Sequence, residues 1–307
     1  MLISAALLGR TPDVCGAFAA SLDQTGVDML VLGGGAQGLD PLILGAWLAP
    51  RIRQAGLTAL VPALYAAPFH VARALSALDF MMAGRSGWQP STLGHAEQAV
   101  TVGVKALTPE DDISPKAMDF IAATYALWDS WDADALIMDQ ESGAYLDADR
   151  VRRVHYKGPY FQVMGPLNAA RPPQGYPVLV QSDADALWRA ATSITDVLFV
   201  TAPTAEALAD RRAEFARVGG QARLLAQVTV DADTSRGDTA AQLSAWSQAG
   251  LIDGVHIVPA GLEAMDGVLE LIATLTPTPG RKAQATTLHA RLGLGAPAAA
   301  LMTKAYA

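Results

Sequence analysis

Residues 177–201, PVLVQSDADALWRAATSITDVLFVT, decide the fold. A short apolar run (PVLVQ) meets a polar junction carrying Asp183 and Asp185. An amphipathic stretch over about 184–194 follows, and then a second apolar run, DVLFVT. A strand apolar along its whole length must be buried on both faces. A helix-length segment between two such strands is what a parallel sheet needs to cross from one strand to the next.

The same unit repeats outward from this stretch. Toward the C-terminus come the runs ARLLAQVTV and GVHIVPA, with helices expected at about 204–218, 238–249 and 262–275. Toward the N-terminus, LISAALLG precedes a helix over about 13–25. MLVLGGG precedes PLILGAWLAPRIRQAG, a helix opening on proline. LTALVPALY precedes PFHVARALSALDFMMAG, which stops at Gly84. SGWQPSTL is a weaker fourth strand because Pro90 lacks an N–H for the ladder. Eight units in about 250 core residues is the arithmetic of an α/β (β/α)8 TIM barrel. The alternative is a doubly wound open sheet. It usually has fewer strands and a glycine-rich first turn, which LLGRTPDV does not supply.

Periodicity lapses between the fourth and fifth units. Residues 94–113 show little of it. SPKAMDFIAATYALWDSW then predicts a helix with Ser114 as N-cap and Pro115 in the first turn. Residues 132–176 read as an excursion between strands 4 and 5, with a hairpin in VRRVHYKGPYFQV around Lys157 and Gly158. The chain is expected to be one domain over residues 1–307.

Composition narrows the function. The 307 residues carry a net charge of −8, with 22 basic and 30 acidic side chains, and no basic run interleaved with aromatics, which argues against nucleic-acid binding. No apolar stretch is long enough to cross a membrane, and MLISAALLGR lacks the basic start of a signal peptide. The single cysteine, Cys15, permits no internal disulfide and fits a reducing compartment. A cytoplasmic protein is expected.

In a barrel the site lies where the strands end. No metal set is visible among His70, His95, His155, His256 and His289. His70, near a helix start, reads as a site or structural histidine, and His256, inside the eighth strand, as a core one. Asp231 and Asp233 read as turn formers, and the acidic stretch WDADALIMDQESGAYLDAD does not match a calcium loop. Tyr65, Phe69, Trp88 and Phe161 could wall an aromatic ligand or belong to the core.

Several segments together resemble the bacterial luciferase-like flavin monooxygenases, in the branch of nitrilotriacetate monooxygenase component A. They are PFHVARALSALDFMMAGRSGW, the long run ALWDSWDADALIMDQESGAYLDADRVRRVHYKGPYFQVMGPLNAARPPQGYPVLVQ, QLSAWSQAGLIDGVHIVPAGLEAMDGVLELI and TLHARLGL. The resemblance covers most of residues 28–294. It implies a (β/α)8 barrel, a homodimer, and reduced FMN supplied by a separate reductase. The reaction it implies is oxidation of a small organic substrate with dioxygen. Carried over, it points to Tyr65, Trp88, Gln89, Gln181 and Ser182 as flavin-binding positions. It assigns no catalytic residue.

The sequence departs from the family pattern at five places, one of them Gln89, which stands where the family has Asn after Trp88. Gly34 stands where an Asp or Asn ends the second strand, and Ala63 replaces a hydroxyl at the end of the third. The segment KALTPEDDISPKAM lacks the expected His and Tyr. After Gln181 and Ser182, where glycine and serine hold the FMN phosphate, stand Asp183, Ala184 and Asp185. Carboxylates oppose a phosphate dianion; at the N-terminus of the next helix they would cap it and take its place. A flavin-poor paralogue serving as a binding or subunit protein is therefore the alternative to an active monooxygenase.

Overall fold

The computed structural model describes residues 1–9, 11–33, 39–108, 112–201, 204–217, 219, 221–275 and 286–295. Along them, β1 (Leu2–Ala6), α1 (Pro12–Thr25), β2 (Met29–Leu32), α2 (Pro41–Leu48), β3 (Gly56–Pro62), α3 (Pro68–Met81) and β4 (Ser86–Ser91) alternate as the sequence predicts. Then come α4 (His95–Thr101), α5 (Ile113–Trp128) and a small hairpin, β5 (Tyr156–Lys157) and β6 (Gln162–Val163). Alternation resumes with β7 (Val178–Ser182), α6 (Leu187–Ala190), β8 (Val197–Val200), α7 (Ala205–Arg217), β9 (Arg223–Val230), α8 (Arg236–Gln248), β10 (Gly254–Pro259), α9 (Met265–Thr274) and α10 (Leu288–Arg291). Eight of these strands close into a parallel barrel in the order β1-β10-β9-β8-β7-β4-β3-β2. Among the described residues, no helix is long and apolar enough to cross a membrane.

Strand pairing sorts the side chains into two sets. Leu30, Leu32, Leu57, Leu198, Val200, Leu224, Val255 and Ile257 pack outward under the helices. Leu2, Met29, Val31, Val178, Val180, Val197, Phe199 and Leu225 meet one another inside the barrel. Leu288 and Leu292, in and just after α10, join that inner cluster and stop the N-terminal end of the barrel. Carboxylates ring the same end. Asp28 accepts from the Ile3 N–H at 2.9 Å, Asp196 from Leu179 at 2.8 Å and Asp253 from Leu224 at 2.9 Å. Each takes a donor that a parallel ladder leaves open at its first rung.

Three local expectations need correction. A short helix, α4, occupies part of the stretch read as aperiodic. It is only His95–Thr101 and buries one residue, Ala99, so it leaves no amphipathic trace. Helix α5 begins one residue before Ser114, with Asp112 at the N-cap and no side-chain cap bond. The helix expected over 184–194 is shorter, α6 followed by a tight turn over Thr192–Ile194.

The hairpin forms around Gly158 as read, with Tyr156 opposite Val163. It is fastened to α5 by Asp119, which accepts from the Tyr160 and Phe161 N–H groups at 2.8 and 2.7 Å and from the Tyr156 hydroxyl.

Candidate active site at the mouth of the barrel

The C-terminal ends of β3 and β4 lie side by side, and one segment is laid over them. The Tyr65 hydroxyl accepts from the Leu107 N–H at 3.2 Å, and Lys116 Nζ sits 5.4 Å from the centre of its ring. His95 reaches the carbonyl oxygens of Thr92 and Leu107, each at 3.1 Å. Ala63 is fully buried and its N–H donates to the Ser91 carbonyl at 2.9 Å.

Alternation along a strand separates the neighbouring candidates. In β4, Trp88 is completely buried beneath α5, with ring centres 6.4 Å from Phe120, 6.3 Å from Tyr125 and 5.7 Å from Trp128. Its indole N–H has no partner among the described residues. Gln89, the next residue, therefore faces the lumen. In β7 the order is reversed. Leu179 pairs with Trp88, so Gln181 shares the helix-facing side and Ser182 turns inward, opposite Phe199.

Gln181 Nε2 donates to the Pro90 carbonyl at 3.2 Å. Between β4 and β7 only Gly87 and Trp88 are in register with strand partners, so this side chain spans a gap the ladder leaves. Gln89 and Ser182 thus reach the lumen and Tyr65 its rim, while Trp88 and Gln181 sit among the helices. Gly34 lies outside the described residues.

The two aspartates after β7 have different partners. Asp185 is buried. Its Oδ2 accepts from the Ser91 hydroxyl at 2.8 Å and the Thr92 N–H at 2.7 Å, and its Oδ1 from the Thr92 hydroxyl at 2.6 Å and the Leu187 N–H at 3.1 Å. The N-cap of α6 is Ala186, not an aspartate as expected; Asp185, one residue earlier, takes the first N–H of the helix and clamps the end of β4 to its start.

Asp183 does not cap α6. Its own N–H continues the β8 pairing by donating to the Phe199 carbonyl at 2.9 Å. The side chain reaches sideways: Oδ1 accepts from the Thr201 N–H at 3.0 Å, and Oδ2 faces Arg211 Nε on α7 at 3.2 Å. Sequence reading missed Arg211. The available signal was a cation on the buried stripe of α7, between Leu208 and Phe215, where a charge needs a paired carboxylate.

Deeper in the lumen, His256 stacks on Phe199, with ring centres 3.9 Å apart and planes 4° from parallel. Its Nδ1 is 3.0 Å from the Ser4 hydroxyl. Burial pushes its pKa down to about 3, so the ring is neutral and serves as packing. Asp231 forms a turn, accepting from the Thr234 hydroxyl at 2.6 Å and the Asp233 N–H at 3.1 Å. The Thr234 hydroxyl holds its carboxyl below the usual range.

A closed parallel barrel with helices around it and polar side chains gathered at one mouth defines the class of (β/α)8 barrels. The chain belongs to the luciferase-like monooxygenase family, whose model matches residues 5–301. It is 34% identical over 298 residues to a pristinamycin IIA synthase subunit of Streptomyces pristinaespiralis, covering 95% of this chain and 91% of that protein. It is 32% identical over 183 residues to nitrilotriacetate monooxygenase component A of Aminobacter aminovorans, covering 60% of this chain and 40% of that one. An EDTA monooxygenase from Chelativorans sp. BNC1 superposes with a TM-score of 0.80 at 18% identity, over 96% of this chain and 98% of that one. The chain spans 37–40% of the length of several of the curated relatives it matches, though most of that of the pristinamycin IIA synthase subunit.

Proposed function

We propose that the chain is the oxygenase component of a two-component, flavin-dependent monooxygenase. It takes reduced FMN from a separate reductase and oxidises a small organic substrate with dioxygen. The family match over residues 5–301 carries this reading. On this reading Gln89, Ser182 and Tyr65 would contact a flavin at the mouth. Trp88 and Gln181 act indirectly, Trp88 through the β4–α5 packing and Gln181 by holding β4 to β7. A homodimer through α2 and α3 belongs to the same reading. Ile43, Phe80 and Met81 on these helices are 72%, 43% and 50% exposed, which is apolar surface in want of a cover.

The test is an anaerobic titration of the purified protein with reduced FMN, followed by flavin fluorescence and calorimetry. Saturable binding with roughly micromolar or tighter affinity is expected for a working oxygenase component. Failure to bind reduced FMN at all would remove this reading.

A second reading is favoured by the polar groups after β7: a flavin-poor barrel that works as a subunit. Phosphate cradles are built from free backbone N–H groups. Here the N–H groups of Asp183, Ala184, Asp185, Leu187 and Trp188 donate to the Phe199 carbonyl, Ser182 Oγ, the Ser182 carbonyl, Asp185 Oδ1 and the Asp185 carbonyl. The full-length likeness to a protein named as a synthase subunit supports the same reading. It predicts that FMN binds only weakly to the isolated chain.

A further inference from the structure

We propose that Asp183 is a built-in anion. Its carboxylate fills an anion site made by Arg211 and the Thr201 N–H, so the chain does not distinguish FMN from the same flavin without phosphate. The inference rests on the flavin-poor reading and gives it a cause.

The carboxylate is well enclosed, its side chain only 5% exposed, and both oxygens are engaged. An N–H on one oxygen and a guanidinium on the other is the pairing that recognises phosphate, supplied here from within. Arg211 is held in place. Its Nη1 bonds Glu214 Oε2 at 2.6 Å, and its guanidinium lies 5.1 Å from the centre of the Trp188 ring. Arg189 bonds the other Glu214 oxygen at 3.0 Å and lies 4.7 Å from the same ring.

The two arginines are therefore matched by Asp183 and Glu214, and no positive charge is left over for a dianion. Asp185 adds a further carboxylate two residues on, with its donors taken from β4 and α6. A phosphate arriving here would have to displace Asp183 from Arg211 and then sit beside it, against like-charge repulsion.

Removing the carboxylate reverses this. Asp183→Ala leaves Arg211 and the Thr201 N–H side by side without their anion, and the local sum of charges gains one unit. Thermal melts of the wild type and of D183A are compared in inorganic phosphate and in chloride of equal ionic strength. Phosphate should raise the melting temperature of D183A and leave the wild type unmoved. FMN and riboflavin, titrated in parallel, should bind the wild type with equal affinity. D183A should prefer FMN by about tenfold.

Adding Arg211→Gln should erase both gains. If D183A does not fold, D183N serves. It keeps an acceptor for the Thr201 N–H while removing the charge, and the same changes are expected in smaller measure. The proposal is overturned if phosphate stabilises the wild type, if the wild type prefers FMN by about tenfold, or if neither variant responds to phosphate. If no flavin binds to any of these proteins, the flavin reading fails, while the phosphate response still decides the anion site.

Discussion

A buried carboxylate is tolerable only when donors answer it, and Asp185 takes four of them from two elements. Replacing it with alanine strands the Ser91, Thr92 and Leu187 donors in a dry site. D185A should lose about 3 kcal/mol in urea denaturation, and D185N about half of that because one acceptor oxygen remains. His256 makes a second prediction at this scale. Its pKa is about 3 in the fold against 6.5 for the free side chain. Below pH 6.5 the unfolded chain takes up a proton that the folded ring refuses. The stability tied to His256 is therefore whole above that pH and shrinks as pH falls toward 3, by up to about 1.4 kcal/mol per unit. His256→Gln should melt with a flatter pH dependence than the wild type between pH 6.5 and about 4, and parallel curves for the two proteins would refute the assignment.

Among the elements, the β5–β6 hairpin depends on one close approach. A Cβ at Gly158 would stand 1.8 Å from Asp119 Oδ1, so glycine is required here by the carboxylate rather than by an unusual backbone angle. Gly158→Ala and Asp119→Ala should both free the hairpin. Amide exchange over residues 156–163 should speed at least about tenfold, with the barrel strands unaffected, because the hairpin shares no ladder with them. Helix α10 is the opposite case, a four-residue element that the barrel does depend on. Leu288 is fully buried against the first rungs of the strands. Leu288→Ala should cost about 2–5 kcal/mol in global stability, the usual penalty for a cavity in a core that cannot collapse.

For the whole molecule the open matter is assembly. If α2 and α3 form the proposed dimer face, light scattering should give twice the 32.1 kDa chain mass, and Ile43→Arg should halve it without lowering the melting temperature of the barrel. A wild-type protein that runs as a monomer at micromolar concentration would remove the dimer. It would leave the exposed side chains of α2 and α3 to another partner.

Local pattern by itself determined the eight strands, the helices that open on Pro41 and Pro68, and the hairpin at Gly158. Each of these is written in a few consecutive residues through apolar runs, proline placement and turn chemistry. It could not say which face of a strand meets the lumen. In a barrel both faces are buried and both are apolar, so Trp88 and Gln89, or Gln181 and Ser182, look alike until the register is known. Nor could it separate the two aspartates. Asp183 and Asp185 are two positions apart in one polar junction, yet one finds Arg211 and Thr201 and the other finds Ser91 and Thr92. Those partners lie on other strands and helices, and only closure of the barrel brings their donors to the carboxylates.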